Sequence, residues 1–121
     1  MKQRIGFIGA GLMGHGAAKF ILKAGYALTV IANRNRAPTD DLVSRGATEA
    51  QSVRELTDAS DIVFLCLPDA PTVQDTIHKA HGLLAGARAG LIVLDMTTSL
   101  PEVTRELAEQ LGAHGVIFVD A

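Results

Sequence analysis

The run Gly6-Phe7-Ile8-Gly9-Ala10-Gly11-Leu12-Met13-Gly14 constrains this chain more than any other feature. It holds G-x-G-x-x-G (Gly9, Gly11, Gly14) directly after an apolar, strand-like segment and directly before a helix-like one. Glycines at this spacing let the backbone turn tightly, approach a pyrophosphate closely and pack a helix against a strand. The helix that opens there directs its free N–H groups and positive dipole end at the phosphates. A strand–turn–helix of this kind is the opening of a dinucleotide-binding βαβ unit.

The rest of the chain repeats the pattern. Strands are expected at Arg4–Ile8, Ala27–Ala32, Ala47–Glu49, Asp61–Leu67, Leu91–Asp95 and Val116–Val119. Ile62 to Leu67 is apolar on both faces, as in a buried parallel strand. Helical patterns lie between. Met13, Ala17, Phe20, Ile21 and Ala24 form an expected core stripe on the first, with Gly25 as its stop. Leu100, Val103, Leu107 and Leu111 form one on the last, which Gly112 ends. Pro38 suits the first turn of a helix over Thr39–Arg45. Ser52-Val53-Arg54-Glu55 and Ser99-Leu100-Pro101-Glu102 read as capping boxes. This β-α alternation implies an α/β fold: a doubly wound, Rossmann-like parallel sheet of six strands in the order 3-2-1-4-5-6, with helices on both faces.

Bulk properties agree with one globular domain over residues 1–121. Apolar residues make up 48% and charged residues 20% of the chain. The net charge of −2 gives no broad pull on nucleic acid or anionic lipid. No apolar run approaches the roughly 20 residues that span a bilayer. One cysteine allows no internal disulfide, and Cys66 reads as a small buried strand residue. The expected location is cytoplasmic. His15, His78, His81 and His114 lack metal-ligand spacing and read as partly exposed helix and loop residues, so no metal is expected. His15, in the first turn of the first helix, lies nearest the phosphates.

Chemistry is expected at the carboxyl ends of the strands. NAD-binding versions of this unit carry Asp or Glu after the second strand, to accept from the adenosine ribose hydroxyls. Here the sequence is Ala32-Asn33-Arg34-Asn35-Arg36, with no carboxylate before Asp40. Guanidinium groups match phosphate oxygens, which favours NADP(H) over NAD(H). Two alternatives stay open: Arg34 or Arg36 as a solvated surface residue, and an arginine that stacks on the adenine without choosing between cofactors. Leu67-Pro68-Asp69 breaks the fourth strand where the chain crosses the cofactor, and Asp69 reads either as a helix cap or as a ligand contact. Asp95-Met96-Thr97-Thr98-Ser99 ends the fifth strand. There Ser99 reads as a cap, and Thr97 and Thr98 as ligand contacts.

These motifs together resemble the amino-terminal half of the β-hydroxyacid dehydrogenases, the family of 3-hydroxyisobutyrate dehydrogenase and tartronate semialdehyde reductase. The resemblance runs through Gly6–Gly14, Asn33-Arg34, Leu67-Pro68, Asp95-Met96-Thr97-Thr98 with Pro101, and Gly115–Ala121. It implies cofactor contacts from Gly9, Ala10, Gly11, Leu12, Met13 and Gly14. It implies Asn33 and Arg34 at the adenosine end with Arg36 as helper, and Leu67, Pro68, Thr72 and Val73 along the ribose. It implies Thr98 beside the nicotinamide. Thr97 stands where the family has a serine near the substrate carboxylate, so it keeps the hydroxyl and adds a methyl.

The family's catalytic lysine lies on a later helix leading to an all-helical second domain. None of Lys2, Lys19, Lys23 and Lys79 matches it, so no catalytic residue is assigned here, and the chain reads as truncated before the substrate motif. The implied activity of the intact protein is hydride transfer between the nicotinamide and a small 3-hydroxy acid or semialdehyde, in a homo-oligomer. Two other readings are an imine reductase of the same superfamily and a non-catalytic nucleotide-binding module.

Overall fold

The computed structural model describes residues 3–9, 12–32, 36–67, 70–78, 80–96 and 101–120, with the backbone alone at 12–14, 70, 101–104 and 120. Six strands and six helices run in the order β1 (Arg4–Ile8), α1 (Leu12–Lys23), β2 (Ala27–Ile31), α2 (Ala37–Ser44), β3 (Thr48–Ala50), α3 (Val53–Asp58), β4 (Ile62–Leu65), α4 (Ala70–His78), α5 (Leu83–Gly86), β5 (Ile92–Asp95), α6 (Pro101–Gly112) and β6 (Ile117–Asp120). All strand pairs are parallel, and the sheet order is β3-β2-β1-β4-β5-β6. This is the order expected from the alternation of strands and helices.

Each sheet face has its own core. Under α1 and α2, Ala18 and Leu42 meet Ile5, Phe7, Leu28 and Val30. On the other face Val53, Leu56, Val73, Ile77, Leu83, Leu107 and Leu111 cover Ile8, Val63, Leu65 and Val93. Burying a side chain of this kind contributes roughly 1.5–3 kcal/mol. Such packing outweighs the poor intrinsic stability of a six-residue helix such as α3. Gly6 is what lets α3 lie so close to the sheet, because a Cβ there would come within 2.5 Å of Leu56 Cδ2 and Ser60 Oγ.

Register shows where the covering stops. Val30, Phe7, Phe64, Leu94 and Val119 form one row across the sheet, and Leu28, Ile5, Ile62, Ile92 and Ile117 the next. Both rows are buried at β1 and β2 and half-buried at β4 and β5. At β6, Ile117 is 53% and Val119 41% exposed. Phe7 and Phe64 stack at 5.7 Å where the covered half meets the open half.

Several local expectations change. Phe20 is not part of the α1 stripe; it is 77% exposed, and Ala18 takes the buried place with Ile21 and Leu22 beside it. The sheet-facing arc of α1 is thus centred on its small residue, which lets the helix sit close. Cys66 lies just past β4 and is half-buried rather than a buried strand residue, although its N–H still donates to Ile8 O at 2.9 Å. α6 runs through Gly112, and the left-handed residue that turns the chain is Gly115, at φ +77. α5 is an additional helix, four residues long, that buries Leu83. Ser52 caps α3 by accepting from Glu55 N at 3.1 Å, while Glu55 Oε2 accepts from Gln51 N, one residue before the expected partner. Ser99 lies outside the described residues. Among the described residues, no helix is long and apolar enough to cross a membrane.

At the amino edge of the sheet Asp61 gathers two cations. It accepts from Arg4 N at 2.8 Å and pairs with the guanidinium groups of Arg4 and Arg88. Arg88 also donates to the carbonyls of Thr57 and Ser60, linking α3, β4 and the α5–β5 connection. The Arg4 hydrogen bonds, foremost the side-chain one, hold the Asp61 carboxyl down to about 2. A carboxyl lowered on folding adds stability above its unfolded value near 4, and that contribution is lost as pH falls through 2. Urea midpoints measured from pH 5 to pH 2 should therefore fall, and fall less steeply in Asp61→Asn, which starts from a lower stability at pH 5. Ser52→Ala should cost about 1 kcal/mol in the same titration at neutral pH, by loss of the α3 cap.

Candidate cofactor cleft

The sheet order reverses between β1 and β4, so the connections leaving these two strands diverge and open a crevice at their carboxyl ends. Gly9 stands at its head with φ +97. A Cβ on Gly9 would lie 2.0 Å from Cys66 O, so only glycine lets the turn after β1 close against the end of β4. α1 begins at Leu12 with no acidic residue in its first turn, leaving its N-terminal dipole uncancelled.

A cleft of about 200 Å³ runs from this turn. Ile8, Gly9 and Leu67 line it on the β1/β4 side, Ile31 and Ala32 at the end of β2, and Val53, Thr72, Asp75 and Thr76 from α3 and α4. Apolar walls with a few hydroxyl and carboxylate groups at one side suit a ligand that is part flat ring and part polar sugar. The turn at Gly9 and the uncancelled helix dipole suit an anion beside it. The residues present thus fit part of a dinucleotide, a ring or sugar in the cleft with a phosphate at the turn.

Of the residues singled out in the sequence, the structure brings Gly9, Leu67 and Thr72 to this cleft. Leu12, Met13 and Gly14 form the first turn of α1. Val73 is fully buried in the core, with Thr72 rather than Val73 facing the cleft. Ala10, Gly11, Asn33, Arg34, Pro68, Asp69, Thr97 and Thr98 lie outside the described residues. Arg36 is held at the start of α2, where its Nη2 donates to Glu49 Oε1 at 2.8 Å and to Asp40 Oδ1 at 3.4 Å. These carboxylates, Glu49 foremost, raise the Arg36 guanidinium above its ordinary value.

Ile31, Val53, Asp75 and Thr76 line the cleft and were not singled out. Thr76 follows Thr72 by one helical turn, a spacing that the sequence displays. Val53 is brought in by α3 crossing the end of β2, which it does not.

His15 is paired with α2. Its Nε2 lies 2.6 Å from Asp41 Oδ2, joining α1 to α2. Arg45 first and His15 second lower the Asp41 carboxyl. His78 meets Gln110 Oε1 at 2.8 Å, between α4 and α6. Among the described residues, no three His, Cys, Asp or Glu side chains are grouped to hold a metal ion. A larger hollow of about 480 Å³ lies on the outer flank of α1, lined by Gly16, Lys19, Phe20, Leu22, Lys23 and Arg45. Among the described residues, no strand residue lines it, and Gly9 is not among its walls.

Comparison with known proteins agrees with this geometry. Residues 4–121 match the family described as the NAD binding domain of 6-phosphogluconate dehydrogenase. The chain is 38% identical over 120 residues to the probable mitochondrial 3-hydroxyisobutyrate dehydrogenase-like protein 2 of Arabidopsis thaliana, covering 99% of this chain and 40% of that one. It is 34% identical over 119 residues to 2-hydroxy-3-oxopropionate reductase of Escherichia coli, covering 98% and 40%. Among solved structures, an imine reductase from Myxococcus stipitatus in complex with NADP+ superposes with a TM-score of 0.88 at 30% identity, covering 97% and 39%. The chain thus spans about two-fifths of the length of these relatives. It belongs to the NAD-binding domain family of 6-phosphogluconate dehydrogenase and is similar in sequence to the hydroxyacid dehydrogenases and reductases.

Proposed function

We propose that this domain binds NADP(H) in preference to NAD(H), as the cofactor-binding part of a 3-hydroxyacid dehydrogenase-type oxidoreductase acting on a small hydroxy acid or semialdehyde. The observation that carries the reading is the cleft that starts at Gly9, where a Cβ would strike Cys66 O, and continues past the end of β2 to Thr72. In this reading Gly9, Ala10, Gly11 and Gly14, with Leu12 and Met13, hold the pyrophosphate against the start of α1. Leu67, Pro68 and Thr72 line the ribose. Asn33, Arg34 and Arg36 attend the adenosine end. Thr98 stands beside the nicotinamide, and Thr97 meets the substrate carboxylate. The nicotinamide supplies the hydride when bound, and the protein supplies orientation and electrostatics.

The proton relay is assigned to none of Lys2, Lys19, Lys23 and Lys79. The proposal therefore gives residues 1–121 cofactor binding and one substrate hydroxyl, with the proton relay supplied by further protein in a homo-oligomeric enzyme. Ile92, Leu94, Ile117 and Val119 support this, because they leave an apolar strip of the sheet that no described helix covers. The similarity to an imine reductase favours one second reading, in which the same half serves imine reduction.

Fluorescence titration of this chain with NADPH and NADH checks the cofactor reading. NADPH should bind more tightly than NADH, and equal or tighter NADH binding contradicts the preference. Gly9→Ala should weaken both by tenfold or more, since it adds a clash to a left-handed residue that already costs about 1–2 kcal/mol without glycine. Thermal melting of the variant separates lost binding from lost fold. With NADPH and succinic or tartronic semialdehyde, this chain alone should show no turnover. Steady oxidation at enzyme-like rates would contradict a proton relay lying elsewhere.

A further inference from the structure

Resting on the reading of this cleft as an NADP(H) site, we propose that Glu49, on the edge strand β3, limits the preference for NADP(H) by occupying the Arg36 guanidinium. Arg36 follows the carboxyl end of β2, where the adenosine ribose and any 2′-phosphate are expected. Its Nη2 is shared between Glu49 Oε1 at 2.8 Å and Asp40 Oδ1 at 3.4 Å. The two carboxylates are not equal. Glu49 is 24% exposed in the pair, and its strand position is fixed by pairing with Val30, whereas Asp40 is an exposed residue on the same helix turn. Solvent therefore screens the Glu49 contact less.

A 2′-phosphate carries about two negative charges and needs a guanidinium edge for bidentate recognition. To use Arg36 it must share or displace Glu49. A 2′-hydroxyl meets no such cost. Arg36 thus counts for less toward NADP(H) than its position in the sequence suggests, and Glu49 is the residue that sets how much less.

The test is fluorescence titration of NADPH and NADH against the wild-type chain, Glu49→Gln, Arg36→Gln and the double variant. Glu49→Gln keeps an acceptor oxygen beside Arg36 while removing its charge. NADPH affinity should rise about three- to tenfold in Glu49→Gln, with NADH changing less than twofold, as expected for one unit charge near a partly exposed site. The rise should vanish in the Arg36→Gln background and shrink in 1 M salt, where the screening length is about 3 Å. An unchanged NADPH/NADH ratio in Glu49→Gln overturns the role of Glu49 while leaving the cofactor reading intact, as does a rise that persists without Arg36. Failure of the wild-type chain to bind either cofactor overturns the cofactor reading and this inference with it.

Discussion

The contact between Gly9 and the carbonyl of Cys66 is the point on which the site depends. Cys66 N donates to Ile8 O, so the ends of β1 and β4 are tied together at the place where the sheet order reverses. Gly9 then has no room for a side chain, and its left-handed conformation admits little but glycine. Gly9 thus stands at the head of the cleft, three residues before α1 begins at Leu12. The remaining walls follow from packing: α3 reaches the end of β2 because Gly6 admits Leu56, and α4 is anchored by Val73 and Ile77 so that Thr72 and Thr76 turn toward the opening.

The two sheet faces are finished differently. α1 and α2 cover β1 and β2, while α3 to α6 cover the opposite face along most of its width. The rows ending at Ile117 and Val119 therefore pass from buried to exposed across one continuous surface. An α/β sheet is stable when both faces are covered. This open strip and the shared length with relatives both fit a domain that works against further protein, as proposed above.

Features governed by local sequence were legible. The strand runs, the Ser52 cap, Pro38 in the first turn of α2 and the glycine turn all rest on residues within a few positions of one another. Features set by approach across the fold were not. Arg36 meets Glu49 only because β3 lies beside β2, thirteen positions along the chain, and His15 meets Asp41 across twenty-six. Phe20 followed the expected apolar periodicity, yet Ala18 faces the sheet, because a small residue lets α1 approach more closely. The Gly9 turn at the head of the candidate cleft was thus readable from glycine spacing, and the charge pairing of Arg36 beyond β2 was not. Charge counted along the sequence near Arg36 omitted the carboxylate that the neighbouring strand brings to it.

Backbone amide chemical shifts recorded during NADPH addition test the central claim most directly, because the hollow on the outer flank of α1 competes with the cleft for a ligand. The claim is that the cofactor lies in the cleft headed by Gly9. Shifts should concentrate at Gly9, Leu12 to Gly14, Ile31, Ala32, Leu67, Thr72 and Thr76, and leave Lys19, Phe20, Lys23 and Arg45 unmoved. Shifts centred on the larger hollow at the outer flank of α1, with the Gly9 region unchanged, would contradict it.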